Sequence, residues 1–178
     1  MKSSKVAKRY ARALLGLSNE SAQLEVWGAE LQRLAQVVEV PANAAAFASP
    51  EVAPSTKLEA MEKIAEHLSV SYPVRSFAGV VGRHGRIEDL PAVAEAYRRM
   101  LDDLMGRTRA TLTFARQPSD SEVMQVLAGL EAIAHKKIIP TVKVDAALIG
   151  GVVAELEGKT YDGSMATRLT TAARRLAS

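Results

Sequence analysis

The chain of 178 residues contains no cysteine. That absence excludes a disulfide framework and any thiolate metal site. Its three histidines, His67, His84 and His135, stand too far apart for a local zinc motif, so catalytic metal chemistry is not expected. Aromatic residues are few, and no basic run interleaves with them, which removes the stacking platform of a single-strand nucleic-acid binder. No run of about 18 apolar residues is present. Met1-Lys-Ser-Ser-Lys5 leads into Arg9 and Arg12 on an amphipathic pattern instead of a signal-peptide core, and a cytosolic protein is expected. A dominant charge is lacking as well. Residues 1–106 hold 13 Lys and Arg against 13 Asp and Glu, and the remainder holds 10 against 7, so the net charge of +3 belongs to the second part. A solvated basic face explains that excess more simply than a nucleic-acid partner does.

What the chain does have is apolar periodicity of two kinds. From Ser4 to about Thr108 the spacing is helical, in Leu24, Trp27, Leu31, Leu34 and Val38, then Leu58, Met61, Ile64 and Leu68, then Val93, Tyr97, Met100 and Leu104. Breaks fall at Pro41, at Ser49-Pro50 with Pro54, at Tyr72-Pro73 and over Gly82 to Asp89. Ser55 and Asp89 are placed to cap helices, with Pro91 tolerated in a first turn. After Gly106 the period changes to two, and Ala110-Thr-Leu-Thr-Phe-Ala115 reads as a strand. Pro118-Ser-Asp-Ser121 opens a helix with the stripe Val123, Val126, Leu127, Leu130 and Ile133, ending at His135-Lys136-Lys137. Thr141 to Val144 gives a second strand, Gly151 to Tyr161 a hairpin, and Ser164 caps a last helix reaching Leu176. The fold class expected is α+β: an N-terminal six-helix bundle over 1–106, with a short third helix around Phe47, then a small β-α-β-β-α domain over 107–178.

Several stretches imitate chemistry. Gly158-Lys-Thr160 looks like the end of a phosphate-binding loop, but the position five residues before Gly158 is Val153, where that loop needs a glycine. The intervening residues alternate, with Val152, Ala154 and Leu156 on one face and Val153, Glu155 and Glu157 on the other, which predicts a hairpin turning at Gly158 to Thr160. Asp102-Asp103 and Glu88-Asp89 are sequence neighbours and cannot act across one substrate from one helix face. Arg83-His84-Gly85-Arg86 reads as an interhelical turn, and Trp27 as core. A P-loop enzyme and a basic nucleic-acid binder are the alternative classes, and spacing supports neither.

Helix 1 is unusual in its breadth. Lys5, Lys8, Arg9 and Arg12 share one sector, and Val6, Ala7, Tyr10, Ala11, Ala13, Leu14, Leu15 and Leu17 occupy an apolar arc of roughly 200°, about twice what one core contact needs. Either this is the most buried helix of its bundle, or the small edge of Ala7 and Ala11 beside Leu14 lets another helix approach. On the second reading Ala11→Arg weakens partner binding and leaves the bundle folded.

Val144-Asp145-Ala-Ala-Leu148-Ile149-Gly150-Gly151, followed by Tyr161-Asp162-Gly163-Ser164 and Arg168-Leu169, resembles the C-terminal signature of the delta subunit family of F-type ATP synthases, which includes the oligomycin-sensitivity-conferring protein. The opening Arg9-Tyr10-Ala11-Arg12-Ala13-Leu14 is similar to the family's first helix, and Phe47-Ala48-Ser49-Pro50 with Lys57, and Arg86-Ile87, follow in order. Gly82-Arg-His-Gly85 departs from a usually more apolar stretch, and Ala147 from a usually polar position. The resemblance implies a non-catalytic stator subunit without cofactor, peripheral on the cytoplasmic face of a bacterial membrane and associated with it only through the complex. It implies that N-terminal helices of alpha subunits lie in a groove walled by Ala7, Tyr10, Ala11 and Leu14 on helix 1 and Phe77, Val80 and Val81 on helix 5. The C-terminal domain, which carries the signature residues Asp145, Leu148, Ile149, Gly150, Gly151, Asp162, Gly163, Ser164, Arg168 and Leu169, is implied to meet the C-terminal ends of b subunits. Physically these signature residues have structural work: flexible backbone at Gly150-Gly151, a turn at Asp162-Gly163 and a cap at Ser164. Arg168, Arg174 and Arg175 are expected to charge one side of the last helix.

Overall fold

The computed structural model describes residues 2–148 and 150–163. The chain divides into two compact units, Met1–Met105 and Gly106–Ser178. Together they are a mixed fold of helices and one four-stranded sheet.

The first unit contains α1 (Lys2–Leu15), α2 (Ser21–Glu39), α3 (Pro41–Ala48), α4 (Pro54–His67), α5 (Tyr72–Arg83), a 3-10 turn (Ile87–Asp89) and α6 (Leu90–Leu104). Four of these helices carry proline in their first two positions, where the missing N–H has no helical acceptor to lose. Proline also explains a misplaced cap. Pro54 fixes the start of α4, so Ala53 takes the capping position and Ser55 falls inside the helix. Asp89 does stand at the N-cap of α6, but it arrives in helical conformation from the 3-10 turn, and its carboxylate receives the Arg86 guanidinium at 3.2 Å instead of capping.

The stripes read from sequence converge. α6 runs along both α1 and α2, and α4 along α5. Between them Leu14, Leu24, Leu31, Leu34, Met61, Val74, Leu90, Val93 and Tyr97 are fully buried. Tyr97 donates its hydroxyl hydrogen to the Leu24 carbonyl at 2.9 Å, and burial pushes its pKa up to about 12. Gly28 makes room for that ring, since a Cβ there would sit 3.1 Å from it. The buried Glu30 carboxylate accepts from the Ser71 hydroxyl at 2.6 Å, tying α2 to the start of α5. α5 continues through Gly82, where a Cβ would come within 2.8 Å of the Leu58 side chain, and terminates at Gly85 with φ +64.

The second unit contains β1 (Arg107–Phe114), α7 (Asp120–Ala134), β2 (Lys137–Val144), β3 (Val152–Leu156) and β4 (Lys159–Asp162). The strand order is β2-β1-β3-β4, with β1 parallel to β2 and antiparallel to β3, and β3 antiparallel to β4. β1 and β2 start three and four residues before their sequence-based limits, because pairing across the sheet extends strands into Arg107 and Lys137, whose side chains carry no apolar signal. Pro140 is tolerated since β2 is an outer strand. The hairpin turn is Glu157-Gly158, with φ of 50 and 79, and Lys159 and Thr160 are already in β4, paired with Leu156 and Glu155. The turn is thus tighter than Gly158 to Thr160. Ala110, Leu112, Phe114, Ala154 and Leu156 meet Leu130 of α7 on one face of the sheet. The expected last helix from Ser164, with Arg174 and Arg175, lies outside the described residues.

Candidate functional site

Two regions bring the sequence-derived candidates together. In the first unit, Ala7, Tyr10, Ala11 and Leu14 of α1 and Phe77 and Val81 of α5 are buried, and Val80 is half-buried. The two helices approach each other through rings. Tyr10 meets Phe77 edge-on at 6.2 Å, with the His84 ring 6.4 Å from Tyr10 and the Arg9 guanidinium 5.7 Å from its ring centre. Within the broad apolar arc, Ala7, Ala11 and Leu14 are consumed by packing in their own unit. Ala11 is 0 % exposed, so an arginine there has to enter the core, and Ala11→Arg tests folding rather than partner binding.

The flank of the arc left more open carries the half-buried Val6 and the exposed Ala13 and Leu17, of which Leu17 lies just beyond the end of α1 and is 64 % exposed. The sequence placed these three in the arc and could not separate them from the buried members. What separates them is the position of α6, a tertiary fact. The contact of His84 with Tyr10 spans 74 positions of chain and is likewise a tertiary fact.

In the second unit, the signature residues join where the strands end. The Asp145 N–H donates to the Phe114 carbonyl at 2.8 Å, and the Asp145 carboxylate accepts from the Ala147 N–H at 2.9 Å, which closes the turn after β2. Gly151 adopts φ 85. Gly163 donates its N–H to the Val152 carbonyl at 2.9 Å, so the segments Gly150-Gly151 and Asp162-Gly163 lie side by side across the β3–β4 ladder. Leu148, Gly150, Gly151 and Val152 line a cleft of about 680 Å³ together with Phe114, Arg116, Glu122 and Val126. Ile149, Ser164, Arg168 and Leu169 lie outside the described residues.

The two charged side chains of this cleft are paired with each other. Arg116 contacts Glu122 at 2.6 Å, and Glu122 receives the backbone N–H of Ser119 at 2.8 Å, so hydrogen bonds from Ser119 and the charge of Arg116 hold its carboxyl below the usual range. Lys136 lowers the Glu157 carboxyl in the same way at 3.1 Å. These are cap and turn interactions. Lys159 and Thr160 are ladder residues on a strand and form no phosphate cradle. Of the acidic pairs, Asp102 is buried while Asp103 is exposed, and Asp89 is held by Arg86 while Glu88 is exposed. Neither pair converges on a substrate. Among the described residues no helix is long and apolar enough to cross a membrane.

Comparison with known proteins gives a consistent result across both units. Residues 6–176 match the family model described as ATP synthase delta (OSCP) subunit. The chain is 33 % identical over 170 residues to an ATP synthase subunit delta of Citrifermentans bemidjiense, covering 95 % of this chain and 94 % of that protein. It is 35 % identical over 170 residues to the subunit delta of Geobacter metallireducens, with the same coverage. A chain in a cryo-EM structure of the Toxoplasma gondii mitochondrial ATP synthase hexamer shares the fold, with a TM-score of 0.64, 17 % identity and 97 % coverage of both chains.

Proposed function

The chain belongs to the ATP synthase delta (OSCP) subunit family, and from that premise we propose how its two units serve the assembly. It is a non-catalytic subunit of the peripheral stalk of an F-type ATP synthase. A stalk subunit must hold two partners against torque, which calls for surfaces rather than reactive groups. The first unit holds N-terminal helices of alpha subunits in the groove between α1 and α5. The second meets the C-terminal ends of the b subunits, joining the catalytic hexamer to the membrane sector during proton-driven ATP synthesis. The protein is then peripheral to the cytoplasmic face of a bacterial membrane, attached through the complex.

The observation that carries this reading is the match running through both units from residue 6 to residue 176. The geometry of α1 and α5 supports the groove. Tyr10 and Phe77 form its floor, Ala7, Ala11, Leu14 and Val81 support that floor from the core, and Val6, Ala13, Leu17 and Val80 offer apolar surface beside it. An amphipathic helix fits such a surface through residues spaced along one face.

Reconstitution tests the proposal. Hexamer stripped of its delta subunit is mixed with this chain, and rebinding and recoupling to the membrane sector are measured. Rebinding that disappears when the alpha N-termini are removed is the expected result. A hexamer with intact alpha N-termini that does not take up the chain would overturn it. Leu17→Asp and Ala13→Asp, both at exposed positions, are expected to weaken rebinding about tenfold without changing the thermal transition.

A further inference from the structure

The groove between α1 and α5 has its two walls in different parts of the bundle. α6 runs along α1 and α2, while α5 packs along α4. Two contacts join α4 and α5 into one piece. Glu66 meets Arg75 at 3.5 Å across their turn, and Gly82 lets α5 come so near α4 that a Cβ there would sit 2.8 Å from the Leu58 side chain. Apolar packing presses this pair on the core but has no direction of its own, so polar contacts are needed to fix where Phe77 stands against Tyr10.

Those contacts lie at the turn between α4 and α5. Glu30 and Arg33 are three residues apart and so share one face of α2. The buried Glu30 carboxylate accepts from the Ser71 hydroxyl at 2.6 Å, and Arg33 Nη1 donates to the Leu68 carbonyl at 3.2 Å. Ser71 is the N-cap of α5 and Leu68 the C-cap of α4. The anion thus stands at the positive end of one helix dipole and the cation at the negative end of the other, so each charge suits the terminus it grips. Ser71 does not cap α5 with its own side chain, and its hydroxyl goes to Glu30 instead. Between the two gripped residues Ser69 adopts φ 50, where α4 closes with the Ser69 N–H on the Glu66 carbonyl at 2.9 Å and the Val70 N–H on the Ala65 carbonyl at 3.2 Å. Glycine is the usual occupant of that left-handed position, and a serine there marks a turn whose shape its surroundings enforce.

We infer that Glu30 and Arg33 are positioning residues for the groove. By holding the α4–α5 turn from α2, they keep α5 where Phe77 meets the edge of Tyr10, so the groove is formed before a partner helix arrives. Neither side chain belongs to a wall of the groove, and both act through α5. The inference rests on the groove reading above and adds what keeps that groove ready. A surface that is competent for only part of the time loses apparent affinity by that fraction, so releasing the turn weakens binding although no contact residue has changed.

The test uses the full-length chain and, as probe, the N-terminal segment of the alpha subunit from the same complex. Arg33→Ala and Glu30→Ala are each expected to weaken its binding about fivefold. In the free chain both should weaken the nuclear Overhauser contact between the Tyr10 and Phe77 rings and speed amide exchange in the first turn of α5, while exchange in α6 keeps the parent rate. Glu30→Gln keeps an acceptor for the Ser71 hydroxyl and restores most of the binding. Ser71→Ala reproduces Glu30→Ala, and the two together lose no more than either alone. If Glu30→Ala unfolds the first unit by circular dichroism, Arg33→Ala decides, since Arg33 is exposed. Variants with the parent's ring contact and affinity overturn the inference and leave the groove reading standing. Affinity lost together with equally faster exchange in α6 also overturns it, by assigning both residues to general stability. A parent chain that binds no alpha segment sinks the groove reading, and the ring contact and α5 exchange of the free chain then decide the positioning role alone.

Discussion

The two units solve the same packing problem to different depths. In the first, 24 buried apolar residues from every helix form one core, so each helix packs one face against others of the same unit. In the second, the described residues give a core of seven, built on one face of a sheet that a single described helix covers in part. Depth of core sets what each unit can give away. The helical unit can spare a flank of α1 because Ala7, Ala11 and Leu14 already saturate its packing. In the sheet unit Val142 and Val144 stay partly exposed among the described residues.

The largest effect that can break this comparison is a charge placed in the deeper core. Ala11 has no exposure, on a helix that runs along α6. Ala11→Arg is expected to destabilise the first unit by at least ~3 kcal/mol, through overpacking and an unpaired buried charge. Thermal denaturation followed by circular dichroism should show an earlier helical transition, while amide exchange in β1 and β3 stays at its parent level. Equal loss of protection in both units would show that they do not carry separate cores.

Tyr97 gives a smaller handle on the same unit. Burial raises its folded pKa to about 12, above the ordinary value of 10. Below pH 10 the phenol is neutral in both states and its contribution is fully present. Between 10 and 12 the unfolded chain loses the proton first, so stability falls as pH rises, with a slope of at most about 1.4 kcal/mol per pH unit from this one group. Tyr97→Phe removes that slope, and costs about 1 kcal/mol at neutral pH through the lost hydrogen bond to Leu24. Denaturant midpoints for parent and variant over pH 8–12 check both statements; parallel curves would mean that Tyr97 titrates as it does in the unfolded chain.

How far the sequence could be read also differs between the units, for physical reasons. The stripe Leu24, Trp27, Leu31, Leu34 and Val38 is buried along its whole length, because one face of α2 meets one core. Leu104 closes the α6 stripe in sequence yet is 68 % exposed, since the core ends before the helix does. The breadth of α1's arc was visible, but not the division of labour inside it, which the placement of α6 decides. In the sheet, alternation located β1 and β3. It did not reveal Arg107 or Lys137 as strand residues, because pairing is a long-range property. Helix starts were legible at proline, since the breaks at Pro41, Pro54 and Tyr72-Pro73 fall where α3, α4 and α5 begin. The capping residue was hidden where proline or an ion pair took its place, as at Ser55 and Asp89.

Ser119 supplies the smallest and most local of these tests. Its hydroxyl accepts from the Glu122 N–H, while the Glu122 carboxylate takes the Ser119 N–H at 2.8 Å, a reciprocal pair that satisfies two helix-end donors of α7. Ser119→Ala is expected to cost about 1 kcal/mol, and only in the second unit. The Glu122 carboxyl is held below its ordinary value, so its contribution is present above that value and is lost as pH falls through the folded pKa. The difference between parent and variant should therefore shrink on acidification, since the partner that makes the cap reciprocal becomes neutral. Hydrogen exchange at the first turn of α7, measured at neutral and at acid pH, reads this directly. A shallow core makes one cap matter: if α7 were as deeply held as α6, removing it would leave the exchange of β1 and β2 unmoved, whereas a sheet covered by this one described helix should lose protection with it.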